Sequence, residues 1–232
     1  MFDFRMDRWR YEPKPGGFQP LGAVDTLVVH WIGGGNAPHS ESDVIAALQS
    51  VYRGHINHPV EPYSDIAYNA AVDAAGRTWE LRGMQYQGGA TFGANMFTKA
   101  ILYVGGSGEP VTDVALRRIA LFRNQAIAEG FLIAGCAIRA HRDYVATDCP
   151  GDLIYSQLGY VRGLANLNPL PQRNFDAMDA WSKIGPAVFG RFAGHWMPIS
   201  EPEWLSAKKK GIEEIPHTAA EMQTIRGDWG RG

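Results

Sequence analysis

The chain has 232 residues, enough for one large domain or for one ordinary domain with an extension. With 45% hydrophobic and 20% charged residues it can bury a sizeable core, which excludes disorder over most of its length. A formal net charge of -2 excludes an electrostatic nucleic-acid binder, and no apolar run is long enough to cross a bilayer.

The opening Met1-Phe2-Asp3-Phe4-Arg5-Met6-Asp7-Arg8 carries no apolar signal core, so classical secretion is not expected. Residues 1–22 are rich in Pro and Gly toward their end and read as an extended N-terminal arm. Thr26-Leu27-Val28-Val29-His30 predicts a short buried strand, stopped by Gly33-Gly34-Gly35. That glycine run lacks the Lys-Ser/Thr of a phosphate loop and reads as a flexible turn. Ser40 or Ser42 can cap a helix running to about Tyr52, with Val44, Leu48 and Val51 on one face. Residues 65–72 and 77–81 predict two strands of a hairpin around Ala74-Ala75-Gly76. Residues 100–104 predict another buried strand. Thr112 can cap a long helix whose stripe holds Leu116, Ile119, Ala120 and Ile127. Residues 137–141 predict a last strand, and a helix follows from about Asp152 with Leu153, Ile154, Leu158, Val161 and Leu164.

Strands alternating with helices predict an α/β fold, a central mixed sheet flanked by helices. Asn166-Leu167-Asn168-Pro169-Leu170-Pro171 marks a boundary, which gives one domain over residues 23–168 and an extension over 169–232. The extension holds Trp181, Trp196, Trp204 and Trp229 and the run Lys208-Lys209-Lys210. It reads as mainly helical, with a solvated lysine face. Wall or carbohydrate binding through its tryptophans is the alternative.

The chemistry concentrates at His141-Arg142-Asp143, followed by Thr147-Asp148-Cys149-Pro150-Gly151-Asp152. Thiolate and neutral imidazole are both good zinc ligands. His30 ends a strand far upstream. The set His30, His141 and Cys149 would leave a fourth tetrahedral position open, the pattern of a catalytic Zn²⁺ site in a surface groove at strand ends. Cys136 reads as a small buried apolar residue; a disulfide with Cys149 is the alternative and would destroy the site. Trp31 follows a ligand directly and either lines the groove or belongs to the core. Asp143 and Asp152 are expected to orient loops. Arg142 is a contact to substrate or to the ligand loop, or faces solvent. His55 and His58 have a spacing open to a second metal site, but are expected not to form one. His39, His195 and His217 are expected to be surface or packing residues.

On these residues the chain resembles the zinc-dependent N-acetylmuramoyl-L-alanine amidases of the type 2 family, which includes phage lysozyme-like amidases and peptidoglycan recognition proteins. The resemblance spans residues 26–164. It rests on the segment at His30, on Ser64-Asp65-Ile66-Ala67-Tyr68-Asn69, on the hairpin ending Glu80-Leu81-Arg82-Gly83, and on residues 141–152. It implies His30, His141 and Cys149 as metal ligands and catalytic roles for Tyr68 and Thr147. Trp31, Asn69 and Arg142 would then contact substrate. The chain departs from some members by having Leu102 where they have a glutamate. Gly88-Gly89-Ala90-Thr91 also lacks a histidine often present there.

The resemblance implies a peptidoglycan hydrolase that uses zinc-activated water to cut the amide between N-acetylmuramic acid and L-alanine. A phage or prophage endolysin is expected, made in the host cytoplasm and acting on the wall after release. The near-neutral charge shifts wall targeting toward the tail or a partner. A non-catalytic peptidoglycan-binding module is the alternative, although such modules usually lose the thiolate. A cysteine hydrolase using Cys149 and His141 is disfavoured by Pro150 and by the lack of an oxyanion-hole motif.

Overall fold

The computed structural model describes residues 1–10, 18–167, 178–184, 187–192, 195–198 and 212–214. The chain divides into two compact units, Met1–Leu170 and Pro171–Gly232.

The first unit is built on a mixed five-stranded sheet. Its strands are β1 (Val24–Trp31), β2 (Ala70–Asp73), β3 (Thr78–Glu80), β4 (Thr98–Val104) and β5 (Leu132–Ala140). Their order is β3-β2-β4-β1-β5, with β2, β4, β1 and β5 mutually parallel and β3 antiparallel to β2. All seven positions of β4 are buried, as a parallel strand covered on both faces requires. Side chains alternate along it. Ile101 and Tyr103 join one apolar cluster, and Leu102 and Val104 join the other.

Helix α1 (Glu41–Ile56) covers the second of these faces. The Ser40 hydroxyl accepts from the Asp43 N–H at 3.1 Å and caps it. Its buried stripe is Val44, Leu48 and Tyr52; full burial of Val44 and Leu48 contributes roughly 1.5–3 kcal/mol each. Helices α2 (Asp113–Ala128), α3 (Asp152–Tyr155) and α4 (Leu158–Leu167) lie on the first face through Leu116, Ile119, Phe122, Ile154, Leu158 and Val161. Thr112 caps α2.

Strand boundaries differ most from the sequence reading at β2 and β5. The run from Asp65 is not yet strand, because Asp65 is buried in an ion pair with Arg10 and its Oδ1 accepts from the Ile66 N–H at 2.8 Å. Conversely, β5 starts at Leu132, with a register shift against β1 that brings in Gly135 at φ +80. Cys136 is buried and both cysteines are free thiols, so the disulfide alternative falls.

The first ten residues are not a free arm. Trp9 is fully buried and donates from Nε1 to the Glu80 carbonyl at 2.7 Å, and Phe4 stacks on Trp79 at 4.2 Å. The sequence reading missed this because these aromatics are spaced too irregularly to signal a strand or helix.

The extension reads as mainly helical in sequence, and the parts of it that are described are strands. Described residues of the second unit form strands β6 (Met178–Ile184), β7 (Ala187–Phe192), β8 (His195–Pro198) and β9 (Glu213–Glu214), in the order β8-β7-β6-β9. The reason is legible afterwards: short β-branched and aromatic runs broken by Gly185-Pro186 and Ala193-Gly194 are hairpin signals. Trp181 and Trp196 lie on strands, and His195 opens β8. Trp204, Trp229, His217 and the lysine run lie outside the described residues.

Candidate metal centre

Two strand ends bring the imidazoles together. Val29 of β1 is the register partner of Ala140 of β5, so the following residues, His30 and His141, meet at one edge of the sheet. Their ring centroids lie 4.5 Å apart. The carboxyl edge of parallel strands is where open α/β sheets place their ligands.

Cys149 arrives on the loop after a short 3-10 turn at His141–Asp143. Several bonds hold this loop. Arg142 N–H donates to the Cys149 carbonyl at 3.0 Å, and the Arg142 guanidinium donates to Asp152 at 2.7 Å and to the Asp148 carbonyl. The Thr147 hydroxyl accepts from the Cys149 N–H at 3.3 Å. Asp143 accepts from the Ala140 N–H at 2.9 Å and from the Tyr155 hydroxyl at 3.2 Å. Trp31 is half-buried beneath the loop: a Cβ on Gly151 would lie 2.3 Å from its indole, and Gly151 sits at φ +80. Trp31 thus supports the ligand loop while packing against the core.

The donor atoms of His30, His141 and Cys149 all lie within 4.8 Å of one another, the one such group among the described residues. His30 Nδ1 stands 3.6 Å from Cys149 Sγ. Zinc bonded tetrahedrally to nitrogen at about 2.05 Å and to sulfur at about 2.3 Å sets those two atoms about 3.6 Å apart. The residues present therefore fit the ion.

Electrostatics agree. Burial holds the His30 imidazole well below its ordinary pKa, and His141 lowers it further. Burial also lowers His141. Both rings are neutral, as metal ligation requires. Burial pushes the Cys149 thiol up to about 11, against the pull of the Trp31 backbone N–H and Arg142. A thiol in that state is a poor free nucleophile, which counts against a cysteine hydrolase.

Tyr68 faces the same site, its ring 5.1 Å from His30. Burial, then Cys149 and Tyr63, raise its phenol above the ordinary range. His55 lies 5.6 Å from Tyr68 on the far side. Its Nδ1 accepts from the Ala67 N–H, while His58 Nδ1 accepts from the Glu61 N–H, so one nitrogen of each ring serves the backbone.

Asn69, a substrate-contact candidate, has its amide engaged by the fold. It is fully buried, with Nδ2 donating to the Gly83 and Tyr86 carbonyls at 2.9 Å each and Oδ1 accepting from the Ala100 N–H at 2.9 Å. It cross-braces the start of β2, β4 and the loop after β3. Sequence reasoning also passed over Thr91. This residue is fully buried, with Oγ1 3.3 Å from His30 Nε2. Its loop drew attention only for lacking a histidine.

No family model matches the chain. A human relative named N-acetylmuramoyl-L-alanine amidase is 30% identical over 132 residues, 56% of this chain. The chain spans 23% of that relative's length. The structure of Drosophila peptidoglycan recognition protein SD superposes with a TM-score of 0.61 at 19% identity, over 74% of this chain and 96% of that one. Peptidoglycan recognition protein LE, solved with monomeric diaminopimelic acid-type peptidoglycan, gives 0.60 at 22% identity over 68% and 92%.

The fold is that of the peptidoglycan recognition proteins and type 2 amidases. Within that fold the sheet edge carrying His30 and His141, and the loop carrying Cys149, form the candidate metal centre.

Proposed function

We propose that the Met1–Leu170 unit is a zinc-dependent peptidoglycan amidase that hydrolyses the bond between N-acetylmuramic acid and L-alanine. The 3.6 Å approach of His30 Nδ1 to Cys149 Sγ, the edge length of a tetrahedral zinc site, carries the reading. The human relative named for this activity supports it.

His30, His141 and Cys149 would hold the ion, which when bound lowers the pKa of water toward about 7 and polarises a carbonyl. The chain's own residues supply position and hydrogen bonds. Burial keeps the Tyr68 phenol protonated, so it is a donor for the oxygen that gains charge as the amide carbon turns tetrahedral. The Thr147 hydroxyl accepts from Cys149 N–H, and its own proton remains available to that same oxygen. Trp31 and Arg142 keep the ligand loop in place.

We read the chain further as a wall-lytic enzyme of a phage or prophage, with peptidoglycan as its partner. The division into two compact units supports a separation of cutting from targeting, since the ligand group belongs wholly to the first.

Digestion of purified muropeptides by the full chain, with mass detection, tests the activity. Release of peptides beginning with L-alanine, abolished by a chelator, is the expected result. Binding of muropeptides without release makes the protein a recognition module instead.

A further inference from the structure

His30 is buried, and an imidazole that ligates a metal is neutral, so its ring carries one proton and must place it on one of two nitrogens. The two nitrogens have different neighbours. Nδ1 faces Cys149 Sγ at 3.6 Å, and Nε2 faces Thr91 Oγ1 at 3.3 Å. A proton on Nδ1 points at the sulfur and leaves the ring's one lone pair on Nε2, facing Thr91 and away from Cys149. A proton on Nε2 frees Nδ1 for ligation and needs an acceptor, since a buried unpaired N–H is costly.

We propose that Thr91 is a positioning residue of the metal centre: its hydroxyl oxygen accepts the His30 Nε2 proton and thereby presents the Nδ1 lone pair toward Cys149. The inference rests on the metal-dependent reading above.

Thr91 is built for this role. It has no exposed surface, and its backbone is closed into a turn on both sides. Its N–H donates to Asn95 Oδ1 at 2.8 Å, and its carbonyl accepts from the Ala94 N–H at 2.9 Å. Its hydroxyl therefore stands on a fixed backbone rather than on a mobile loop. A ligand histidine typically gives its second ring N–H to such an acceptor, and loss of the acceptor typically costs about 10–100-fold in metal affinity.

Thr91→Val removes the acceptor and keeps the shape, and Thr91→Ser keeps the acceptor. Zn²⁺ affinity of the full chain, read by competition with a chromophoric chelator, should fall about 10–100-fold in Thr91→Val and stay near the parent value in Thr91→Ser. Equal affinity in Thr91→Val and the parent overturns the role of Thr91 and leaves the metal centre standing. A parent chain that takes up no Zn²⁺ overturns the metal reading and this inference together. Should the valine variant not fold, nitrogen-15 shifts of the His30 ring in the zinc-loaded parent decide. A proton on Nε2 is expected; attachment of the metal through Nε2 overturns the proposal.

Discussion

His30 Nδ1 and Cys149 Sγ lie 3.6 Å apart although 119 positions separate them in the chain. Two independent constraints produce that approach. The parallel pairing of β1 with β5 sets His30 beside the start of the ligand loop. The bonds from Arg142, Thr147 and Asp143 then turn the loop back on the sheet edge. A disulfide is absent from this loop, and both cysteines are free.

Replacing the sulfur should remove the ion. Cys149→Ser offers a poor ligand in place of a thiolate. Loss of a ligand should exceed the roughly 100-fold affinity loss that follows removal of a supporting partner. Zinc content after dialysis, measured by atomic absorption, should fall to background with amidase activity. A zinc-free Cys149→Ser chain that still cleaves muropeptides would refute the centre.

Tyr68→Phe separates catalysis from metal binding. The ring keeps its packing against His30, and only the hydroxyl goes. One well-placed donor to a developing oxyanion is worth about 3 kcal/mol, so kcat should drop on the order of a hundredfold. Zinc content should not change. An unaltered kcat removes the tyrosine from the chemistry.

The sheet and its caps were legible because each rests on local chemistry. Ser40 and Thr112 announce their helices by side-chain type and position, and the apolar run before His30 can only be a buried strand. The ligand trio was legible because few residue types bind zinc, and the chain has just two cysteines. What escaped was set by tertiary contact. Asn69 sits beside Tyr68 in the sequence, yet its neighbours in space are Gly83, Tyr86 and Ala100. Thr91 touches His30 across 61 positions, and nothing in a lone threonine signals that. The short strands described in the second unit were passed over because the sequence reading took its tryptophans as candidate binding residues and did not weigh its turn signals.

His55 gives the first unit an acid-sensitive element. Burial, then Arg82, lower its pKa to about 4 from an ordinary 6.5, against a smaller upward pull from Asp65. Between these values the unfolded chain binds a proton that the folded chain refuses. Stability is therefore complete above pH 6.5 and declines as pH falls toward 4. Urea midpoints for the chain and for His55→Gln should show this. The parent should lose stability from pH 7 to pH 5, and the variant should show a shallower decline. Parallel profiles would mean that other groups carry the acid sensitivity.

Asn69→Ala tests whether that side chain serves the fold or the substrate. The amide satisfies two buried carbonyls and one buried N–H at once. Alanine removes all three bonds; the Tyr86 carbonyl keeps Lys99 Nζ and the Gly83 carbonyl keeps the Tyr86 N–H, while the Ala100 N–H loses this acceptor, and each lost bond costs about 1–3 kcal/mol. Water entering the gap offsets part of this, so a net loss of about 3 kcal/mol is expected. For a unit of this size each kcal/mol moves Tm by about 2–4 °C, which predicts a fall of about 6–12 °C. Asn69→Asp keeps the acceptor for Ala100 but sets a carboxylate against the Gly83 and Tyr86 carbonyls, and should be at least as damaging near neutral pH. Thermal melts of the zinc-loaded chain read both. If Asn69→Ala melted like the parent and instead raised KM for muropeptides, the side chain would belong to the binding groove after all.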